Sequence, residues 1–180
     1  MAQNTREKIL ITAEKLIMTT GNAEVTLNQI ASELGLSHAA LYKHFRNKQA
    51  LWEAVASTWF NREIINKISI SPSLPQKEQL HDWLWAFVNA KKTAFNTNPK
   101  MFALNTEYID NNPTALRHIL VSAYQEIDSI MGYHDPKFKK SELILSAFSI
   151  FILPNFKDTW NDLEYDSRFE MLWDLIKSGL

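Results

Sequence analysis

The sequence contains no cysteine, which excludes disulfide bonds and thiolate chemistry. Only four glycines and six prolines interrupt it, so long tracts free of helix-breaking residues remain. The most apolar stretch, residues 143–153, includes two serines and is too short to cross a bilayer as a helix. The N-terminus is polar and lacks the apolar run of a signal peptide. We therefore expect a cytoplasmic protein that does not bind membranes.

Charge is nearly balanced over the chain, with a formal net charge of −1. That total gives no indication of a nucleic-acid partner, but the charges are unevenly distributed. No acidic residue lies between Ser37 and Lys48, whereas the same segment holds Lys43, Arg46, Lys48, His38 and His44. A local basic surface on a near-neutral protein is typical of a small phosphate-contacting footprint.

Apolar residues recur at helical spacing along almost the whole chain. The spacing predicts an all-α protein of about nine helices: a three-helix N-terminal domain with a helix-turn-helix, followed by a C-terminal helical domain. Two prolines and two serines in residues 71–75 predict a break. We place an N-terminal domain at residues 1–48, a connecting helix and linker at 49–71, and a C-terminal domain at 72–180.

Two short predicted helices meet at a tight corner between Thr26 and Phe45. Thr26 and Gln29 have the spacing of a capping box, which predicts the start of the first of the pair. Gly35 can adopt the left-handed conformation that the corner needs, and Ser37 is predicted to cap the second helix. Apolar residues fill the inner face, which leaves these residues outward: His38, Ala39, Ala40, Tyr42, Lys43 and His44. The pattern predicts a recognition helix for the major groove.

The same segment resembles the tetracycline-repressor (TetR) family of bacterial regulators. Residues 40–51, Ala-Leu-Tyr-Lys-His-Phe-Arg-Asn-Lys-Gln-Ala-Leu, are similar to its Leu-Tyr-x-His-Phe string followed by Lys-x-x-Leu. Ile9–Ile17, Gly21 and Val25–Thr26 resemble the family's first helix and the entry to its second. The resemblance covers about residues 5–55. It implies backbone contacts from Tyr42, His44 and Lys48, and groove contacts from Ser37 to Lys43.

These observations together predict double-stranded DNA with a palindromic operator as a partner. The predicted DNA-contacting residues are Thr26, Ser37, His38, Ala39, Ala40, Tyr42, Lys43, His44 and Lys48. Packing roles for Tyr42 and His44 stay open at this point. Because Ala39 and Ala40 are small and apolar, base recognition would depend on His38, Lys43 and contacts to thymine methyl groups.

The C-terminal aromatic residues admit two interpretations, a ligand pocket or an ordinary core. By analogy with the family, a small-molecule effector pocket would be lined by Trp83, Phe87, Phe102, Tyr108, Tyr124 and Phe148. The predicted helix over residues 138–153 is apolar nearly all round, so either a second copy or the rest of the domain must cover it. The predicted homodimer contacts are Ile144, Phe148, Phe151, Phe169, Leu172, Trp173 and Ile176.

Signals for catalysis are weak, and we expect no enzyme activity, no cofactor and no metal. Glu78 and His81 have the Glu-x-x-His spacing of di-iron bundles, but those proteins need two such pairs, and the sequence holds one. The favoured hypothesis is a homodimeric repressor released from its operator by an effector. The alternative is a helix-turn-helix activator or DNA-organising protein without a small-molecule effector.

Overall fold

The computed structural model describes residues 4–20 and 25–180. Those residues form eleven α-helices, one π-helical turn at Thr106–Asp110, three short 3-10 segments and no strand, which confirms the predicted all-α class. Gly21, which is part of the family resemblance, lies outside the described residues. The helices are α1 Thr5–Thr20, α2 Leu27–Glu33, α3 His38–Tyr42, α4 Lys48–Glu63, α5 Gln76–Thr97, α6 Pro99–Asn105, α7 Pro113–Ile119, α8 Val121–Met131, α9 Lys139–Ala147, α10 Ser149–Ile152 and α11 Tyr165–Ile176.

Two predicted helices are each divided in the structure, which raises the count above nine. The apolar spacing of residues 116–127 predicts one helix after Pro113, but that helix is interrupted at Leu120, whose ψ of −5° departs from the regular helical value. The helix expected over residues 138–153 is interrupted at Phe148. The Ser146 hydroxyl donates to the Glu142 carbonyl at 2.6 Å, and such back-bonding bends helices.

The chain groups into two compact units. The first comprises residues up to Asn61 together with Asn98–Leu116, and the second comprises Arg62–Thr97 together with Arg117–Leu180. Residues 98–116 lie inside the predicted C-terminal range 72–180, yet their contacts place them with the N-terminal residues. Whether the predicted ranges 1–48, 49–71 and 72–180 fold independently stays a prediction.

Each unit has its own apolar core. In the first, small and branched side chains of α1 to α3 pack with the aromatic residues of α4; the fully buried members include Ile9, Ala13, Ile30, Leu41, Leu51, Ala56 and Trp59. In the second, aromatic rings dominate, among them Phe87, Phe148, Phe151, Trp160, Tyr165 and Phe169. In the part of the chain that the structure describes, no helix is both long enough and apolar enough to span a membrane.

Candidate nucleic-acid interface

The start of α2 is fixed by the capping box that the sequence predicts. The Thr26 hydroxyl accepts the Gln29 N–H at 3.2 Å, and the Gln29 side-chain oxygen accepts the Thr26 N–H at 2.7 Å. The hydroxyl proton of Thr26 is also directed at Gln29, at 3.1 Å. Both donors of Thr26 are therefore engaged locally, so the structure gives this residue a capping role rather than a donor for phosphate.

The corner between α2 and α3 depends on Gly35. Its φ is +62°, in the left-handed region that favours glycine. The Gly35 N–H donates to the Ser32 carbonyl at 3.1 Å, and the Leu36 N–H donates to the Ala31 carbonyl at 2.9 Å. These two bonds end α2 and reverse the chain. The Ser37 hydroxyl then accepts the Ala40 N–H at 3.1 Å, which starts α3.

Helix α3 divides its residues between the core and solvent as predicted from the sequence. Leu41 is 1% exposed and Phe45 is buried, and both anchor the helix on the first unit's core. The Arg6 guanidinium lies 4.9 Å from the centre of the Phe45 ring, which fixes the end of the motif against α1.

The outer face of α3 and the turn after it carry the predicted contact residues. His38, Ala39, Tyr42, Lys43 and His44 are exposed. Ala40 is half-buried. The rings of His38 and Tyr42, one helical turn apart, meet edge to face with 4.9 Å between their centres. Tyr42 is 41% exposed, so its hydroxyl end remains open to a partner.

The start of α4 lies directly after this surface. Asn47 caps the helix, because its side-chain oxygen accepts the Ala50 N–H at 2.8 Å. Lys48, the first residue of α4, is exposed. A helix N-terminus with a neighbouring lysine is favourable for a phosphate group. Arg46 is also exposed, although it was absent from the predicted contacts; its charge is the signal that could have included it.

The carboxylates that flank this basic surface are directed elsewhere. Glu33 lies 3.8 Å from the Lys15 ammonium of α1. Glu53 accepts from the Gln49 side chain at 2.8 Å and from the Asn112 side chain at 3.5 Å. We call the exposed surface formed by His38, Ala39, Tyr42, Lys43, His44, Arg46 and Lys48 the basic face. Because Glu33 and Glu53 are engaged with other residues, these two carboxylates do not neutralise the positive charge of the basic face.

Residues 98–116 support the helices that present the basic face. The Lys100 ammonium donates to the Met18 carbonyl in the last turn of α1 at 2.8 Å, where a cation is favourable. The rings of Trp52 on α4 and Tyr108 on the π-helical turn lie 6.4 Å apart. Residues 98–116 thus contact both α1 and α4, the first and last of the N-terminal helices.

The six aromatic residues predicted to line one pocket are divided between the two units. Phe102 and Tyr108 belong to the first unit, whereas the other four belong to the second. Phe87 and Phe148 are fully buried. Burial also raises the pKa of the Tyr124 phenol, which stays neutral. Aromatic residues at helical spacing have mostly formed the core.

The second unit does contain a cleft of about 570 Å³, and Trp83 is the one predicted residue that lines it. Its other walls include Ile65, Ile68 and Ile70 from the segment after α4, and Glu126 and Ile130 from α8. Sequence reasoning missed these residues. The alternation of Ile68, Ser69 and Ile70 before a proline-containing turn could have indicated a half-buried loop wall.

The predicted dimer contacts are divided between core and surface. Phe148, Phe151 and Phe169 are at most 1% exposed, so they have no surface to offer a partner; their rings pack on one another instead. Ile144 and Trp173 are also buried, and Leu172 and Ile176 are half-buried. The exposed apolar residues of this part of the chain include Leu143 (72%), Leu163 (103%), Met171 (64%) and Leu175 (75%).

The side chain of His81, half of the Glu-x-x-His pair, is directed at carboxylates other than Glu78. Its Nδ1 lies 3.0 Å from an Asp82 oxygen and its Nε2 lies 3.1 Å from both Glu170 oxygens. Within residues 4–20 and 25–180, no group of three or more His, Asp or Glu side chains is placed to hold a metal ion.

The helical fold and the exposed basic face define a class of protein, the helix-turn-helix proteins with a second helical unit. A family model for bacterial regulatory proteins of the tetR family matches residues 9–55. The class C tetracycline repressor protein of Escherichia coli is 35% identical over 78 residues, covering 43% of this chain and 32% of the repressor. The nucleoid occlusion factor SlmA of Shewanella sp. (strain W3-18-1) is 33% identical over 67 residues, covering 37% of this chain and 34% of SlmA.

Solved structures match over nearly the whole chain, at low sequence identity. BioQ, crystallised with its natural double-stranded DNA operator, has a TM-score of 0.63 and 17% identity, covering 98% of this chain and 99% of BioQ. The fatty acid degradation regulator FadR of Bacillus halodurans has a TM-score of 0.58 and 14% identity, covering 98% of this chain and 96% of FadR. The aligned regions of the curated relatives above span about a third of those proteins. Residues 9–55 therefore match the tetR family of bacterial regulatory proteins, as the sequence resemblance implied.

Proposed function

We propose that the chain is a homodimeric, sequence-specific DNA-binding transcription regulator, and that a small-molecule effector releases it from a palindromic operator. The basic face is the observation that most supports this function. It combines a capped helix of the right width for a major groove with the exposed cations Lys43, Arg46 and Lys48, which directly follow that helix. Its buried side, fixed by Leu41 and Phe45, leaves the outer side free for DNA.

The predicted contacts divide into two roles. Phosphate contacts suit Tyr42, Lys43, His44 and Lys48, because they carry long or hydrogen-bonding side chains at the rim of the face. Base contacts suit His38, Ala39 and Ala40 near the start of α3, where a recognition helix meets base edges, and Lys43 is long enough for either role. Ser37 remains the cap of that helix.

A helix as short as α3 reads few base pairs, so we expect two copies to act together. Recognition helices about 34 Å apart on a twofold axis would enter successive major grooves. The exposed residues Leu143, Met171 and Leu175, with half-buried Leu172 and Ile176, are the apolar surface that we assign to the second copy. These residues replace the fully buried members of the set predicted from sequence.

An effector requires a place to bind, and the cleft lined by Trp83 supports one. Its volume lies within the usual range for small-molecule sites. An effector that binds more tightly to a conformation with the wrong spacing of recognition helices would shift the protein away from DNA. The resemblance of residues 9–55 to TetR-family regulators agrees with this behaviour.

The test begins with selection of bound sequences from a random DNA library, without effector. We expect a palindrome to be enriched, one dimer to bind it, and sedimentation equilibrium to give a dimer at micromolar concentration. Lys48→Met should weaken binding and reduce the slope of log affinity against log salt by about one. Lys137→Met, which removes an exposed charge from the second unit, should leave both unchanged. A library with no enriched sequence, or a monomer that binds as tightly, contradicts the proposal.

The similarity to SlmA favours a second candidate, a DNA-organising protein without a small-molecule effector. Such a protein would bind many chromosomal sites, and no small molecule would displace it. Mapping of bound sites across a genome separates the two: a few sites in promoters favour the regulator, and many sites within genes favour the alternative.

A further inference from the structure

The chemistry of the cleft in the second unit indicates what it binds. Its apolar walls come from Ile65, Ile68, Ile70 and Ile130, with Trp83 beside them. The Trp83 ring is stacked on Phe87, with 5.2 Å between the ring centres and 14° between the planes. The indole is 3% exposed, so it is held in one orientation and contributes a small, fixed apolar surface to the cleft.

Side-chain hydrogen bonds hold the walls of the cleft in place. The Gln79 side chain donates to the Leu74 carbonyl at 2.7 Å, which ties the loop after α4 to α5. The Gln76 side chain donates to the Ile130 carbonyl at 3.0 Å, which ties the start of α5 to the end of α8. The cleft is therefore formed before any ligand arrives, and a ligand does not have to order it.

The charge of the cleft is negative. Of its ten lining residues Glu126 is the one that is charged, and none is basic. Among the described residues, the Glu126 carboxylate makes no hydrogen bond and no ion pair. The nearest lysine along the chain, Lys67, is instead paired with Glu63, and this bond is the main cause of the lowered pKa of Glu63. An anionic ligand would meet Glu126 without a compensating cation.

We propose that this cleft is the effector site and that it takes an organic cation, an amine or ammonium group on an apolar body. The apolar body lies against Trp83 and the isoleucines, and the cationic group faces Glu126. The effector assignment rests on the proposed function, whereas the binding itself does not. Asn66 and Ser129, which also line the cleft, add neutral polar groups at its rim.

The test compares three probes of one size and different charge: 4-phenylbutylamine, 4-phenylbutanol and 4-phenylbutyrate. Calorimetry of the full chain without DNA should give the amine roughly tenfold tighter binding than the alcohol. A hydrogen bond between two charged groups is stronger than one with a neutral partner, and the difference in free energy corresponds to about a tenfold change in affinity. The acid should bind most weakly. Glu126→Gln should reduce amine binding to the level of the alcohol and leave the alcohol unchanged.

Glu164→Gln is the matched control, since it removes an exposed carboxylate of the same unit that does not line the cleft. It should preserve the preference for the amine. Ile68→Trp, which fills the cleft from a half-buried position, should abolish binding of amine and alcohol alike. Equal affinities for the three probes, a preference that survives Glu126→Gln, or no binding at all would each overturn the proposal.

DNA release is measured separately, with the operator found by selection. If the amine binds to the wild type and not to Glu126→Gln, the cleft is supported as a cation site. If that binding does not alter the affinity for DNA, the role of the cleft as the effector site is contradicted. Absence of DNA binding contradicts the proposed function and leaves the calorimetric result standing.

Discussion

The two units of this protein are stabilised in different ways. In the first, caps at Thr26, Ser37 and Asn47 and the glycine corner at Gly35 specify each short helix locally. In the second, the core depends on aromatic rings brought together from distant parts of the chain. Motifs in the first unit are readable in the sequence because neighbouring residues make them. The second unit leaves no such motif, since its partners are far apart in sequence.

The largest expected effect lies in the ring cluster of the second unit. Phe169 is fully buried, with its ring centre 4.7 Å from that of Trp85 and 5.1 Å from that of Phe148. Phe169→Ala should lower the free energy of unfolding by about 3–5 kcal/mol, because a buried ring is lost and a cavity remains. Leu163→Ala, a change at a fully exposed position just before the same helix, is the control for chemical denaturation. Similar losses in both variants would show that the cluster is not the source of stability.

A smaller effect should follow from the corner of the first unit. Gly35 has a φ of +62° and open space where a Cβ would lie. Gly35→Ala should therefore cost about 1 kcal/mol from backbone conformation alone. Gly132, at φ +63° in the second unit, should respond similarly to alanine. Gly179→Ala should be nearly neutral, because no positive φ is required there.

Differential scanning calorimetry of the glycine variants would sharpen the comparison of the units. If the units unfold separately, Gly35→Ala and Gly132→Ala should each lower a different transition. A single transition lowered equally by both would mean that the two kinds of stabilisation act as one cooperative system.

The last expected effect is a gain in stability rather than a loss. The Tyr165 hydroxyl is buried with no hydrogen-bond partner among the described residues. Tyr165→Phe should therefore raise the free energy of unfolding, by about 1 kcal/mol. Burial, with a smaller contribution from Asp166, also holds the pKa of the Tyr165 phenol above its usual value.

The sign of the pH effect follows from that raised pKa. Below about pH 10 the phenol is protonated in both states, and above it only the unfolded state ionises readily. The wild type should thus lose stability as the pH rises beyond about 10, and Tyr165→Phe should lose less. Denaturant titrations at pH 8 and 10.5 measure the difference, and identical pH dependence in the two proteins contradicts the assignment.

The contrast between the units also explains what the sequence could predict. The caps, the corner and the division of α3 into buried Leu41 and exposed Tyr42 involve residues within a few positions of one another. Whether Phe102 and Phe148 lie in the core or line a pocket could not be predicted in the same way. Helical spacing places a ring on one face of a helix, but it does not show what packs against that face. The cleft was hidden for the same reason: Ile68 and Glu126 are far apart in the chain, and neither belongs to a motif.

The grouping of residues 98–116 with the N-terminal helices has a consequence for chimeras made with other helix-turn-helix proteins. Because this segment packs with the N-terminal helices, the boundary between the units crosses the backbone three times, at Asn61, Thr97 and Leu116. If the N-terminal part of this chain alone were joined to the remainder of another protein, the Met18 carbonyl would face a foreign residue in place of Lys100. A functional chimera should therefore require that residues 98–116 be transferred together with the N-terminal residues.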